Sequence, residues 1–339
     1  MNVLPVGKLR AQTLQALFDR HPVKDARVVV GPRVGEDAAV IDLGDRYLIA
    51  TSDPITFAAD DIAWYALQVN ANDIAVRGAR PHWFLATVLL PEGRTTDESV
   101  SALFDQLAAA CEELEVALIG GHTEVTAGLD RPVVAGTMLG EVPKERLVTT
   151  AGARVGDAVV MTKGVPLEGA AIIAREREQE LLARGVRPST VRKAKAFLRR
   201  PGLSVLPEAE IACELAEVHS MHDPTEGGIA TALWELAAAA GVGLRIDRER
   251  IVVMPEGAEL CQALGLDPLG TIASGALLMT LGPADAGIVI HALAREGIDS
   301  HYIGQVTPRE QGVVLVEGNQ ARPLPIFPQD EITRLLSGG

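Results

Sequence analysis

Four short segments place polar residues where a folded chain rarely keeps them without a partner. Asp37 lies in VGEDAAVI, after a Gly turn and before an apolar strand. Asp53 ends the apolar run YLIATSD, directly before Pro54. Asn72 and Asp73 interrupt the otherwise apolar segment VNANDIAVRGA. His122, Thr123 and Glu124 follow the Gly120–Gly121 turn after VALI. An acid at the end of a buried strand, or inside an apolar helix, carries a desolvation cost that a partner must offset. Mg2+ is one such partner: it takes a few carboxylates and completes its shell with water and phosphate oxygens. Single carboxylates dispersed along the chain, with Gly turns, therefore point to a Mg-nucleotide site more than to an all-protein metal cage. Each also has a local reading: Asp37 as a turn residue, Asp53 as a cap, and Asn72–Asp73 as side chains bonding backbone near a helix end.

The elements that must position these residues follow from periodicity and breakers. Short β-type runs occupy 28–30, 38–41 and 47–53. Asp61 to Ala79 reads as a helix ended by Gly78, and 83–91 as a strand stopped by Pro91. Thr95 and Glu98 have capping-box spacing and open a helix that runs to about Glu115. VALIGGHTEV and VVAGTMLGEV (133–142) supply further strands. The polar stretch Pro143–Gly156 marks a boundary, which gives domains at 1–145 and 153–330. Beyond it, AVVMT (158–162), GALLMTL (275–281) and VVLVEG (313–318) read as strands. Helices are expected over 175–200, broken at Gly185 and Pro188, from Pro207, from Pro224 to Ala240, and over ADAGIVIHALARE. The mixed charges of 175–200 read as a solvated face. The interleaving gives an α+β or α/β class in each half.

HDPTEGGIATAL has a complete local explanation. Asp223 fits an N-cap, Pro224 the first helical position and Glu226 the acid of a capping box. Gly227–Gly228 weakens the helix, so something must approach the backbone there. A helix N-terminus also offers N–H groups to a phosphate or carboxylate.

Length and charge exclude several classes. At 339 residues, two domains are the expectation. A net charge of −14 argues against duplex binding and against docking on anionic lipid. No run of 18 apolar residues occurs, and MNVLPVGKLRAQ lacks the apolar core of a signal peptide. Cys111, Cys213 and Cys261 are odd in number and lack C-x-x-C spacing. Cys111 shares an apolar stripe with Leu103, Leu107 and Leu114 and reads as core. A reducing, cytoplasmic setting is expected, with no nucleic-acid or membrane partner.

VGEDAAVI, TSDPITF, NANDIAVRGARP, IGGHTEVT, VVAGTMLGE and HDPTEGGIATAL resemble, in that order, the segments of the AIR synthase (PurM) superfamily. The resemblance runs from about Val6 to Gly318. LGLDPL (264–269) and MHDPTEGG look most like the hydrogenase maturation factor HypE and its AIR synthase-related kin. The resemblance implies an α+β, two-domain PurM-like architecture. Its N-terminal domain would dimerise through a shared β-barrel, and its C-terminal domain would be an α/β sandwich. It implies ATP and Mg2+ as cofactors, with the nucleotide in a cleft between the domains. By motif, Asp37, Asp53 and Asp73 would hold the metal, with Glu36 as a possible substitute ligand. Lys8, Asn72, Gly120, Gly121, His122, Thr123, Glu124 and Glu226 would line the nucleotide. His122 and Asp223 would serve catalysis. The implied chemistry is ATP-dependent phosphoryl transfer to an amide, carbonyl or phosphate oxygen of a small or protein-borne substrate.

Two departures qualify this. His122 stands where several relatives carry an acid, and imidazole is a poor Mg2+ ligand. The site then holds one ion fewer, or Glu124, on the same face two residues on, takes over, or His122 acts as base or phosphate contact. HypE carries its substrate on a terminal cysteine, and PLPIFPQDEITRLLSGG contains none, so that reaction on its own tail is not expected. A nucleotide-binding module without turnover is the alternative. A metallohydrolase using His122 with the acids is a third reading.

Overall fold

The computed structural model describes residue 4 and residues 6–56 and 60–336. Phe57, the last residue of the TSDPITF segment, and the final Ser-Gly-Gly lie outside that range. The chain forms two compact units. One comprises Val23–Pro32 and Asp37–Leu147; the other Met1–Pro22, Arg33–Glu36 and Val148–Gly339. Helix α1 (Ala11–Arg20) belongs to the second.

The first unit contains β1 (Val28–Val30), β2 (Ala39–Asp42), β3 (Arg46–Thr51), β4 (Pro54–Ile55), α2 (Ile62–Ala75) and β5 (Arg80–Pro91). After these come α3 (Asp97–Glu113), β6 (Ala117–Thr126) and β7 (Val133–Pro143). Among the described residues the sheet has seven strands, in the order β1-β2-β3-β7-β5-β6 with β4 also on β7. Only β5–β6 is parallel, and α3 supplies the crossover such a pair requires. Strand β7 alternates buried and half-buried residues, as a period of two demands. Helix α2 packs on β7 and β5 and is buried along its whole length. That explains why its sequence is apolar all round rather than striped. Helix α3 is amphipathic instead. It buries Leu103, Leu107, Ala110 and Cys111, the stripe expected from the sequence.

The cap of α3 differs by one residue from the expectation. Thr96 Oγ1 accepts Ser99 N at 3.2 Å, and Ser99 Oγ accepts Thr96 N at 3.0 Å. Thr95 instead donates to Pro91 O, 2.8 Å away, closing the preceding turn. A hydroxyl at N3 replaces the expected Glu98, because a short side chain returns to the N-cap amide just as well.

The second unit contains β8 (Ala158–Thr162), α4 (Leu167–Glu176), α5 (Glu178–Ala183), α6 (Pro188–Ala196), α7 (Leu206–Leu215) and β9 (Val218–His222). It continues with α8 (Gly228–Ala240), β10 (Gly243–Asp247), α9 (Pro255–Leu264), β11 (Leu278–Leu281), α10 (Pro283–Arg295), β12 (Ser300–Thr307), β13 (Val313–Glu317) and β14 (Gln320–Pro323). The sheet order is β14-β13-β10-β12-β8-β11-β9. Its core joins Met161, Leu233, Leu236, Ile246, Leu278 and Ile303. No helix among the described residues is long and apolar enough to cross a membrane.

One local expectation is overturned. Helix α8 starts at Gly228, not Pro224, and Asp223–Pro224–Glu226 do not form a capping box. Gly227 (φ 81°) and Gly228 (φ 62°) are both left-handed, so the helix is interrupted before it can extend back to Pro224. A Cβ on Gly228 would lie 2.5 Å from Leu269 O and 2.7 Å from Thr271 O. The close backbone approach inferred for this glycine pair is therefore real, and the approaching backbone is the chain's own 269–271 segment.

Candidate active site

In the first unit the aspartates gather around one hydroxyl. Thr51, the last residue of β3, is buried, and its Oγ1 lies 2.6 Å from Asp73 Oδ2 on α2. The same Oγ1 is 3.1 Å from the main-chain oxygen of Asp37. The Asp37 carboxylate lies 3.4 Å from Nη2 of Arg77, a guanidinium with no exposed surface. Arg77 belongs to the NANDIAVRGARP segment, just past the end of α2. Asp53 follows two residues after Thr51, and the buried amide of Asn70 brackets its backbone. Asn70 Oδ1 accepts Asp53 N at 3.0 Å, and Nδ2 donates to Asp53 O at 3.2 Å. Asn72 is fully buried on α2, and its carbonyl closes the helix by accepting Val76 N. Thr51 therefore joins the Asp73 carboxylate to the main chain at Asp37, and Asp53 follows the end of β3 by two residues. The side chains of Asp37, Asp53 and Asp73 offer oxygen donors alone, the type that suits a hard divalent cation such as Mg2+.

His122 and Glu124 stand elsewhere. They lie on β6, three strand positions from β3, which is about 14 Å across the sheet. Their side chains are 66% and 48% exposed, and His122 Nε2 is 3.2 Å from Glu124 Oε2. Within this unit neither joins the aspartates at Thr51. Thr123 lies between them, in register with Val88. Gly120 and Gly121 have a structural reason for their type. The register slips between Phe84 and Leu85, which bulges β6 at Ile119. Both glycines then take positive φ, and a Cβ on Gly121 would run into the Ala86 backbone.

In the second unit Lys8 is anchored twice. Its backbone N–H donates to Glu226 Oε2 at 2.9 Å, and its Nζ lies 3.2 Å from Glu235 Oε1. Glu235 also meets His222 Nε2 at 3.1 Å. Burial alone would raise the Glu235 carboxyl, but the His222 hydrogen bond and the Lys8 charge prevail and hold it at about 2. Asp223, adjacent to His222, is fully buried at the end of β9. Glu36 spends its oxygens on the backbone N–H groups of Thr150 and Ala151, each at 3.2 Å. Its carboxylate caps that turn.

Sequence reasoning passed over four acid or imidazole groups of this unit: Glu168, His222, Glu235 and Asp330. Glu168 and Glu235 carried the signal already used for Asp73, an acid within an apolar helix (LEGAAIIA, LWELAAAA). Asp330 and His222 carried none, because their burial arises from contacts distant in sequence.

Comparison with known proteins gives a consistent result. Residues 35–142 match the AIR synthase related protein N-terminal domain, and residues 154–317 its C-terminal domain. The carbamoyl dehydratase HypE of Cupriavidus necator is 30% identical over 308 residues, 88% of this chain and 83% of that one. That of Rhizobium leguminosarum bv. viciae is 30% identical over 309 residues, 88% and 83% of the two chains. Among solved structures, a HypE–HypF complex aligns with TM-score 0.75 at 22% identity, covering 94% of this chain and 100% of that one. HypE in complex with ATP aligns at 0.71 and 22%, covering 94% and 91%. AaThiL complexed with AMPPCP and TMP aligns at 0.66 and 22%, covering 83% and 87%. These likenesses show a shared two-domain α+β fold.

Proposed function

This chain belongs to the AIR synthase related protein family, and from that premise we propose that it uses ATP to activate an oxygen of its substrate. The reaction is phosphoryl transfer from ATP to an amide, carbonyl or phosphate oxygen on a small or protein-borne molecule. The observation that carries this reading is the Thr51 hydroxyl set between the Asp73 carboxylate and the Asp37 main-chain oxygen, with the buried Arg77 on the Asp37 carboxylate. Relatives of the same fold are named as an ATP complex and as a carbamoyl dehydratase, which supports nucleotide-driven chemistry.

Asp37, Asp53 and Asp73 would hold Mg2+, which when bound neutralises charge on phosphate oxygens. Thr51 orients Asp73, and Arg77 positions the Asp37 carboxylate. Asn72, Gly120, Gly121, Thr123 and Glu124 of the first unit are proposed to contact nucleotide, with Lys8 and Glu226 of the second. His122 and Asp223 are proposed as the groups that handle protons. The ten-residue edge of β6, exposed along nearly its whole length, supports homodimerisation through that strand.

A second reading retains nucleotide without turnover. It is favoured by the position of His122, three strand positions from the aspartates. One experiment separates the two. Steady Mg2+-dependent ADP release that falls about 100-fold or more in Asp73→Asn supports the enzyme. Tight nucleotide binding with no ADP release supports the module. No nucleotide binding at all overturns both.

A further inference from the structure

In the second unit a histidine that nothing above employs sits at the start of β9, clamped between opposite charges. Strand β9 pairs with β11 from His222 to Ser220 and again at Val218, so His219 is an extra residue with no partner on β11. A bulge of this kind re-aims its side chain. The His219 ring meets the turn that precedes β8. Its Nδ1 lies 2.9 Å from each oxygen of Asp157, and its Nε2 lies 2.8 Å from Nη1 of Arg154. Arg154 also reaches Glu217 Oε1 through Nη2 at 2.9 Å, and its backbone N–H donates to Asp157 Oδ2 at 2.8 Å. The backbone is fitted to this contact. A Cβ on Gly152 would run into His219 O. Thr150 Oγ1 donates to Met221 O at 3.2 Å, and Ser220 Oγ donates to Thr150 O at 2.9 Å. The imidazole and Asp157 are nearly buried, with 10% and 5% of their side chains exposed, whereas Arg154 and Glu217 are 60% and 69% exposed.

The neighbours fix where the ring carries its proton. A guanidinium has donors and no acceptor, so the Nε2 that faces Arg154 is bare and the proton is on Nδ1, given to Asp157. We propose that this cluster is a proton-sensitive latch, which holds Arg154 on the ring while His219 is neutral and releases it when Nε2 takes a proton. Histidine changes charge between about pH 5 and pH 8. With a proton on Nε2, two N–H donors and two positive charges would face each other across 2.8 Å, and one must leave. The ring stays, because Asp157 accepts from Nδ1 in either state. Glu217 Oε1, 3.6 Å from Nε2, is the acceptor that the charged ring takes up, and the exposed Arg154 turns to water. Acid thereby removes one tie between the turn before β8 and the bulge, and neutral pH restores it. Apart from Asp157 and Glu217, no acid among the described residues lies within 4.0 Å of the ring. Strand β11 opposes this stretch with Thr280 and Leu281, and the 150–152 segment brings Thr150 and Gly152, none of them charged. Helix α7 packs on β9 and carries Glu208, Glu210 and Glu214; Glu208 is taken by Lys163 Nζ at 2.6 Å.

The test uses the full chain, labelled with heavy nitrogen and free of nucleotide, in NMR spectra between about pH 8 and pH 5. Arg154→Lys and His219→Gln assign the guanidinium and ring-nitrogen signals. At the upper pH the ring is expected to be protonated at Nδ1 alone. At the lower pH both nitrogens are protonated, and the Arg154 Nε–H signal shifts along the same curve. In His219→Gln the Arg154 signal should stay in one place across the range. A ring that carries its single proton on Nε2, or that stays neutral at the lower pH, overturns the proposal. So does an Arg154 signal that stays put while the ring is protonated, or one that moves as far in His219→Gln. If that variant does not fold, crystals of the unaltered chain at the two pH values decide. The contact of 2.8 Å should open beyond about 3.5 Å in acid while Nε2 closes on Glu217, and a contact equally short at both values overturns the latch. No nucleotide is present, so the result is independent of the phosphoryl-transfer reading.

Discussion

Thr51 donates its hydroxyl proton to Asp73 across 2.6 Å, with both side chains buried. A hydroxyl has one proton to give. The charged carboxylate takes it in preference to the Asp37 carbonyl, which stands farther off at 3.1 Å. The bond ties the end of β3 to the last turn of α2 and sets the direction of the Asp73 carboxylate.

Replacing Thr51 with Val keeps the shape and removes that donor. We expect a loss of about 1–3 kcal/mol in urea unfolding, since Asp73 stays buried with one bond fewer. Mg-ATP affinity should fall as well, because the carboxylate is no longer aimed. A variant as stable as the parent and with the same affinity would show that the bond does neither.

The contact of Lys8 with Glu235 makes an acid-stability prediction. The Glu235 carboxyl is held at about 2, below its ordinary value of 4.5. A depressed carboxyl stabilises the fold above the unfolded value and loses that contribution as pH falls from 4.5 through 2. Lys8→Met removes one cause of the depression. The midpoint of acid unfolding should move to higher pH, while stability at pH 7 changes little because Lys8 is half exposed. An unmoved acid midpoint would show that His222 alone holds Glu235.

Glu168 and Asp330 predict the opposite slope. Burial is the largest cause, and it pushes each to about 7, from ordinary values of 4.5 and 3.8. The unfolded chain therefore ionises first. Stability should fall as pH rises from about 4 to about 7 and level off above that. Glu168→Gln removes its share of the slope, so at pH 8 without ligand it should be more stable than the parent by a few kcal/mol, on the order of its shift. Calorimetry at pH 5 and pH 8 checks this. A variant destabilised equally at both values would show that the carboxyl is needed for packing rather than strained by burial.

Strand β6 predicts assembly. Leu118, Ile119 and Val125 are exposed along an edge whose outer backbone groups face solvent. The chain should sediment as a dimer at micromolar concentration, and Ile119→Lys should shift it toward monomer. A parent that remains monomeric would remove β6 as an interface.

Some of this was legible from residue order. The acid inside the apolar α2, the stripe of α3 with its period of 3.6 and the alternation of β7 with its period of 2 are local patterns, and these elements formed close to the expected positions, α2 stopping at Ala75 instead of Ala79. Glu168 and Glu235 carry the same signal as Asp73, an acid in an apolar helix. The α8 cap failed for a physical reason. Asp223–Glu226 could cap a helix only if the helical backbone ran on through the residues that follow, and the left-handed Gly227 and Gly228 interrupt it there.

What residue order determined by itself was the composition of the machinery: dispersed single acids, glycine turns and two mixed α+β units. Propensity and periodicity act over a few neighbours, so they are readable from the chain. Tertiary structure alone decided which acids meet. Thr51 joins Asp37 to Asp73, His122 is carried to the sheet's far edge, and Lys8 is anchored 218 and 227 residues away on Glu226 and Glu235. Burial and electrostatic partnership depend on distance in space, and nothing in local sequence encodes a contact of that range.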